Sequence, residues 1–215
     1  MSTETTFFLW GSIGYILGSI PFGLVLCWLA GYGDIRKIGS GNIGATNVLR
    51  TGSKSLALLT ILLDASKAGI AAYAAFRIVP EKPFVFCDRM TTTNTMASLI
   101  AGTMGIIGHN FPVWLKFKGG KGVASTFGFI LATNPLLALL ALATWLIMAF
   151  ATRYSSLSAI TAAIFVPVYA FFIAPPVYSI FYGGIALLVL VRHHANIGRL
   201  LKGTESKINL KKKQK

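Results

Sequence analysis

Six stretches of the chain, 7–29, 56–79, 96–114, 135–151, 157–173 and 177–191, are apolar for long enough to be read as membrane-spanning helices. The last two are short against the about 20 residues that cross a bilayer core, a deficit that burial among neighbouring helices offsets. A seventh stretch, 123–133, holds eleven apolar or small residues and is closed by Asn134-Pro135. Such a helix reaches only about 16 Å. Length alone leaves it either a re-entrant segment or a short, tilted crossing in a thinned membrane.

The basic residues decide between six crossings and seven. The connection 30–55 carries Arg36, Lys37, Arg50 and Lys54, and 115–122 carries Lys116, Lys118 and Lys121 with no acid. In 80–95, Lys82 and Arg89 are balanced by Glu81 and Asp88; Asn134-Pro135 and Ala174-Pro175-Pro176 carry no charge. Arg153 marks the next basic turn, and the tail from Arg192 has eight basic residues and one acid, Glu205. Rich and poor connections alternate, as cytoplasmic and outer loops do, only if 123–133 crosses. The expectation is seven helices, the N-terminus outside and the C-terminus cytoplasmic, with outer loops that are simple turns.

Composition fixes the class. Apolar residues make up 54% of the 215 and charged residues 12%, about half the charged share of a soluble domain. An ordinary soluble globule is excluded, and so is a disordered chain. A formal charge of +14 would point to nucleic acid if it lined one polar face. Here the basic residues punctuate apolar segments, so no nucleic-acid partner is expected. The fold class is all-α: a polytopic transmembrane helical bundle, one domain over 1–203, then a basic tail over 204–215. The run Lys211-Lys212-Lys213 in that tail suits anionic lipid head groups. The first six residues contain Glu4 and no Lys or Arg, so the positive n-region of a cleavable signal is missing and the first span is expected to stay. Cys27 lies in an apolar run and Cys87 in a short polar connection, a spacing that suggests neither disulfide nor zinc.

Three polar clusters share the side assigned to the cytoplasm. Gly39-Ser40-Gly41-Asn42-Ile43-Gly44-Ala45-Thr46-Asn47-Val48-Leu49-Arg50 combines glycines with neutral donors and a planar guanidinium, the makings of an anion nest. No Gly-Lys-Ser/Thr closes it, so it is not a Walker loop. Gly108-His109-Asn110-Phe111-Pro112 and Phe117-Lys118-Gly119-Gly120-Lys121-Gly122 precede the short helix, where free amides, the helix dipole and lysines favour an anion. Arg192-His193-His194-Ala195-Asn196-Ile197-Gly198-Arg199-Leu200 ends the last span; on a helix His193 and Asn196 share a face. Arg153-Tyr154-Ser155-Ser156-Leu157-Ser158 adds hydroxyls and a cation. Asp64 and Lys67, at i and i+3 inside an apolar helix, read as a paired brace facing protein. Metal ligation is not expected, since His193 and His194 diverge and no cysteine or carboxylate stands with them.

Several chemistries are missing. There is no Gly-x-Ser-x-Gly elbow, and no histidine is followed five positions later by aspartate. Only Asp34 and Glu205 flank the cytoplasmic motifs, too few for a carboxylate base to be expected. Anion-binding clusters at a membrane surface point to a phosphorylated substrate meeting a lipid. A transporter of phosphorylated solutes would show inverted repeats and polar midplane residues, of which only Asp64 and Lys67 are found; a scaffold would not need three such clusters. Another membrane transferase acting on phosphorylated substrates remains the stronger alternative.

In this order the three clusters, above all Phe117-Lys118-Gly119-Gly120-Lys121-Gly122, resemble the signature motifs of the PlsY family, the bacterial acyl-phosphate:glycerol-3-phosphate acyltransferases. The resemblance covers nearly the whole chain. It implies transfer of a fatty acyl group from acyl phosphate to glycerol 3-phosphate, giving 1-acyl-glycerol 3-phosphate (lysophosphatidic acid), without a cofactor. It also implies a bacterial cytoplasmic (inner) membrane location with the active site facing the cytoplasm, and glycerol 3-phosphate, fatty acyl phosphate and membrane lipids as partners. By the same resemblance Lys121 and His193 take part in the catalytic step. Ser40, Asn42, Asn47, Arg50, Lys118, Asn196 and Ser156 or Ser158 hold substrate. The acceptor's own phosphate takes the proton, which accounts for the scarcity of acids.

Overall fold

The computed structural model describes residues 1–208; the run Lys211-Lys212-Lys213 lies outside them. By its internal contacts the chain forms two compact units, one ending at Ala138 and the other beginning at Leu139.

The first unit holds α1 (Thr3–Gly18), α2 (Phe22–Leu29), α3 (Ala45–Val48), α4 (Lys54–Ile78), strands β1 (Pro83–Phe86) and β2 (Arg89–Thr92), α5 (Thr93–Asn110) and α6 (Val123–Thr133). The second holds most of α7 (Pro135–Thr152), then α8 (Ser155–Ile173), α9 (Pro176–Arg192) and α10 (His194–Leu201). The short segment is thus a helix with the expected bounds. The first span, expected to be continuous, is interrupted between α1 and α2. Pro21 lacks an amide hydrogen and disfavours helical backbone at Ile20, and at this break the Ile20 carbonyl accepts both the Phe22 amide at 3.1 Å and the Lys67 ammonium at 2.9 Å.

Close approach of small residues builds the first unit. Gly14 and Gly18 of α1 press on the backbone of Ala101 and Gly105 in α5, and Gly128 of α6 presses on Ala65 of α4, so tightly that a Cβ at any of the three glycines would strike main-chain atoms. This is how helices associate where lipid supplies no hydrophobic drive. It also accounts for α5, rich in Gly, Ser and Thr, and buried along most of its length. In the second unit α8 packs along α9, and the Thr144 hydroxyl lies 2.9 Å from that of Tyr169, tying α7 to α8.

A further departure from expectation stands out. The connection 80–95 is a β-hairpin rather than a simple turn, with Phe86 paired to Arg89 and Phe84 stacked edge-on against Phe7. Its two turn residues, Cys87 and Asp88, both adopt positive φ, the conformation normally signalled by Asn-Gly. The seven crossings are also not established. Among the described residues α1 with α2, α4, α7 and α8 are long and apolar enough to span a membrane, and α9 with α10 qualify only as a pair bent by 61°. The chain is a membrane protein on this helix content.

Candidate active site

The first loop is held by apolar residues on either side of its polar ones. Ile35, Ile43 and Val48 are buried, Ile35 and Val48 in one cluster with Cys27 of α2 and Ala57 of α4. Asn47, 1% exposed, donates to the Ile35 carbonyl at 2.8 Å and accepts from the Ser40 amide at 3.1 Å. Asn42 caps the Gly44 amide at 3.1 Å. Both asparagines, expected to hold phosphate, therefore spend polar atoms shaping the loop. Gly39, at positive φ, lies against the Arg50 guanidinium and the Asn47 amide, where a Cβ would collide. Ser40 and Arg50 are exposed at this turn, and among the described residues no carboxylate pairs with Arg50.

Asp34 stands beside this loop but is committed elsewhere. Its carboxylate receives Arg36 Nε at 2.9 Å and Nη2 at 2.7 Å. The Arg36 side chain first, then its amide, pulls the carboxyl down to about 2. A carboxylate so weakly basic is a poor proton acceptor at neutral pH. Because its pKa is depressed in the fold, any stability it adds is present above the usual aspartate range and is lost only as pH falls toward 2. Asp34→Asn should keep the pH–rate profile between about pH 6 and 8 unchanged and turnover within about twofold; steady-state rates across that range check it.

The second cluster is organised by a buried trio. Asp64 and Lys67 of α4 pair at 2.9 Å with side chains 4% and 3% exposed, as the brace reading expects, and His109 of α5 joins them, its Nδ1 2.8 Å from Lys67 Nζ. The Tyr15 hydroxyl holds the end of α5 through the Phe111 carbonyl at 2.8 Å, and Ser125 of α6 donates to the Asp64 carbonyl at 2.8 Å. The amides of Gly119 and Gly120 donate to the carbonyls of Asn110 and His109 at 3.1 and 3.0 Å. They close the end of α5, so the free loop amides expected at these two glycines are not available to an anion. Around this turn stand the exposed Lys118, the half-buried Lys121 and the start of α6, whose first amides have no partner within the helix.

In the second unit the helix turns at His193. That side chain, 2% exposed, has Nδ1 2.8 Å from the Val189 carbonyl. A carbonyl only accepts, so Nδ1 carries the hydrogen. Ser156 and Ser158, equivalent in the sequence reading, separate here. Ser158 is fully buried and back-bonds to the Tyr154 carbonyl at 2.9 Å within α8. Ser156 donates to Glu205 at 2.8 Å, where Asn196 Nδ2 also donates at 2.6 Å.

Glu205 is the residue that sequence reasoning missed. Its side chain, 6% exposed, also takes Arg199 Nε at 2.6 Å. Burial disfavours its charge, but hydrogen bonds from Asn196, Ser156 and Arg199 outweigh burial and hold the carboxyl below its usual range. The available signal was a single acid within a basic tail, four positions past the end of a basic helix. Glu205→Gln would set an amide hydrogen against a donor and should cost about 1–3 kcal/mol of stability; thermal unfolding in detergent reads it, and the loss should shrink as pH falls below the glutamate range.

Residues 8–203 match the family model described as glycerol-3-phosphate acyltransferase. The chain is 54% identical over 200 residues to the glycerol-3-phosphate acyltransferase of Rhodospirillum rubrum, covering 93% of this chain and 90% of that one. It is 49% identical to that of Mesorhizobium japonicum over 92% and 94% of the two chains. Among solved structures it is similar to the crystal structure of PlsY (YgiH), an integral membrane glycerol 3-phosphate acyltransferase in its glycerol 3-phosphate form. That similarity has a TM-score of 0.83 at 35% identity, over 94% of this chain and 96% of the other. The lysophosphatidic acid form of the same protein matches at a TM-score of 0.82.

Proposed function

Because the chain belongs to the glycerol-3-phosphate acyltransferase family and is a membrane acyltransferase of the PlsY type, we propose that it transfers a fatty acyl group from acyl phosphate to glycerol 3-phosphate. The products are 1-acyl-glycerol 3-phosphate, which is lysophosphatidic acid, and inorganic phosphate. The observation that carries this reading is the match, over 94% of the chain, to a structure solved in glycerol 3-phosphate and lysophosphatidic acid forms.

The chemistry suits the residues present. The acceptor hydroxyl oxygen attacks the acyl carbon, the carbon–oxygen bond to phosphate breaks, and the phosphate leaves with the electron pair. An acyl phosphate is a mixed anhydride with a good leaving group, so anion stabilisation and positioning contribute more than acid catalysis. The hydroxyl proton passes to the acceptor's own phosphate, which accords with Asp34 being locked to Arg36 and Glu205 to its three donors. In this reading Ser40 and Arg50 hold a substrate phosphate, while Asn42 and Asn47 keep the loop that presents them. Lys118 and Lys121 neutralise phosphate charge. His193 contacts the acceptor through Nε2, while Asn196 and Ser156, both bound to Glu205, keep the surrounding turn in place and contact substrate from it. Ser158 serves the helix. No cofactor is required.

The reaction would sit at the cytoplasmic face of the bacterial inner membrane, with seven crossings and an outer N-terminus. In a background lacking Cys27 and Cys87, a cysteine at the exposed Ser40 should react with an impermeant thiol reagent only from the cytoplasmic side; labelling from outside overturns that topology. For the reaction itself, purified protein given palmitoyl phosphate should acylate glycerol 3-phosphate with one inorganic phosphate released per product, and should leave glycerol untouched. Equal use of glycerol would remove the phosphate contacts from the reading.

A further inference from the structure

Lys67 is a buried ammonium with three hydrogens and three acceptors. Its Nζ lies 2.9 Å from the Ile20 carbonyl, 2.9 Å from Asp64 Oδ1 and 2.8 Å from His109 Nδ1. An ammonium donates only, so each contact assigns a direction, and the third makes His109 Nδ1 an acceptor. Asp64 Oδ1 is the poorer claimant on that nitrogen, 3.5 Å from it. The Nδ1 lone pair therefore faces Lys67, the ring is neutral, and its hydrogen sits on Nε2. That nitrogen lies against Gly120: a Cβ on Gly120 would run into the imidazole edge. The same histidine's carbonyl accepts the Gly120 amide at 3.0 Å. Backbone and ring of one residue thus grip one glycine of the loop that carries Lys118 and Lys121.

The groups facing His109 come from several elements. Asp64 and Lys67 belong to α4, and α6 brings no titratable side chain. Tyr15 of α1 reaches the neighbouring Phe111 carbonyl rather than the ring. A cluster of one anion, one cation and one neutral acceptor balances its charges without water, which is how buried charge is tolerated in a membrane helix. A brace needing charge neutrality alone would stop at Asp64 and Lys67. The third member extends the cluster to the substrate loop.

We propose that Asp64, Lys67 and His109 form a buried positioning unit: Lys67, oriented by Asp64 and the Ile20 carbonyl, fixes His109 as the neutral Nε2–H tautomer, and His109 fixes the Gly119-Gly120 turn. The kinetic consequence rests on the phosphate-binding reading of that loop; the tautomer and the rigidity of the turn do not. None of the three is a catalytic residue, since they act on substrate only through the loop.

The test uses the full-length protein in detergent, labelled with 15N at histidine and separately at glycine. The chain has three histidines, and His109→Gln identifies the signal of the first. Wild type should show His109 Nδ1 unprotonated and Nε2 protonated at neutral pH, and slow hydrogen exchange at Gly119 and Gly120. The paired variant Asp64→Asn/Lys67→Met removes both charges together and so leaves no buried ion unpaired. It should populate the Nδ1–H tautomer and exchange the two glycine amides at least about tenfold faster. The KM for a phosphorylated substrate should rise about tenfold, with a smaller change in kcat, and His109→Gln should show the same rise if the paired variant does not fold. A wild-type ring with hydrogen on Nδ1, or charged, overturns the proposal, as does unchanged exchange in the variants. If tautomer and exchange behave as stated but wild type acylates no glycerol 3-phosphate from any donor, the reaction assignment falls and the positioning unit stands.

Discussion

Arg50→Lys is expected to lose nearly as much turnover with glycerol 3-phosphate as Arg50→Ala, roughly 10²-fold or more in kcat/KM. Lysine keeps the charge but not the planar fork that grips two phosphate oxygens at once. The geometry sharpens the contrast. Gly39 lies against the guanidinium, so the arginine is held over the turn that presents Ser40. A lysine ammonium there is a single mobile point charge. Steady-state kinetics with both variants decide the matter, and near-normal kinetics for Arg50→Lys would move the phosphate contact away from the first loop.

His193→Gln should lower kcat/KM for glycerol 3-phosphate by about 10²-fold, the worth of a contact that orients the acceptor, while the same change at the adjacent His194 should matter by about twofold at most. The two neighbours make the same kind of bond, each through Nδ1 to a carbonyl of the preceding helix. They differ in placement: His193 is buried where α9 gives way to α10, and His194 is exposed. Equal losses at both positions would show that the turn, and not the imidazole of His193, is what the substitution damages.

Much of this arrangement was legible in the chain. The alternation of apolar runs and basic connections placed α4, α7, α8 and α9 within a few residues, and the short helix 123–133 at its observed bounds. The i, i+3 spacing of Asp64 and Lys67 anticipated their ion pair. What escaped was local chemistry that overrides pattern. Pro21 broke a span that hydropathy alone runs through. The hairpin turn carries Cys87-Asp88 at positive φ in place of Asn-Gly, so no composition signal marked it. In the site, residue type revealed which positions are polar but not which polar atoms are consumed inside the fold. Asn47, Ser158 and the Gly119 and Gly120 amides resemble ligand groups in the sequence and make hydrogen bonds within the fold. Glu205 escaped for the complementary reason: one of its three partners, Ser156, comes from α8 and the other two, Asn196 and Arg199, from α10, and no linear spacing announces them.

The donor decides the central claim. Purified protein given labelled glycerol 3-phosphate with palmitoyl phosphate, and in parallel with palmitoyl-CoA, should form 1-palmitoyl-glycerol 3-phosphate only from palmitoyl phosphate, with equimolar inorganic phosphate. Comparable product from palmitoyl-CoA would contradict an acyl phosphate-dependent mechanism.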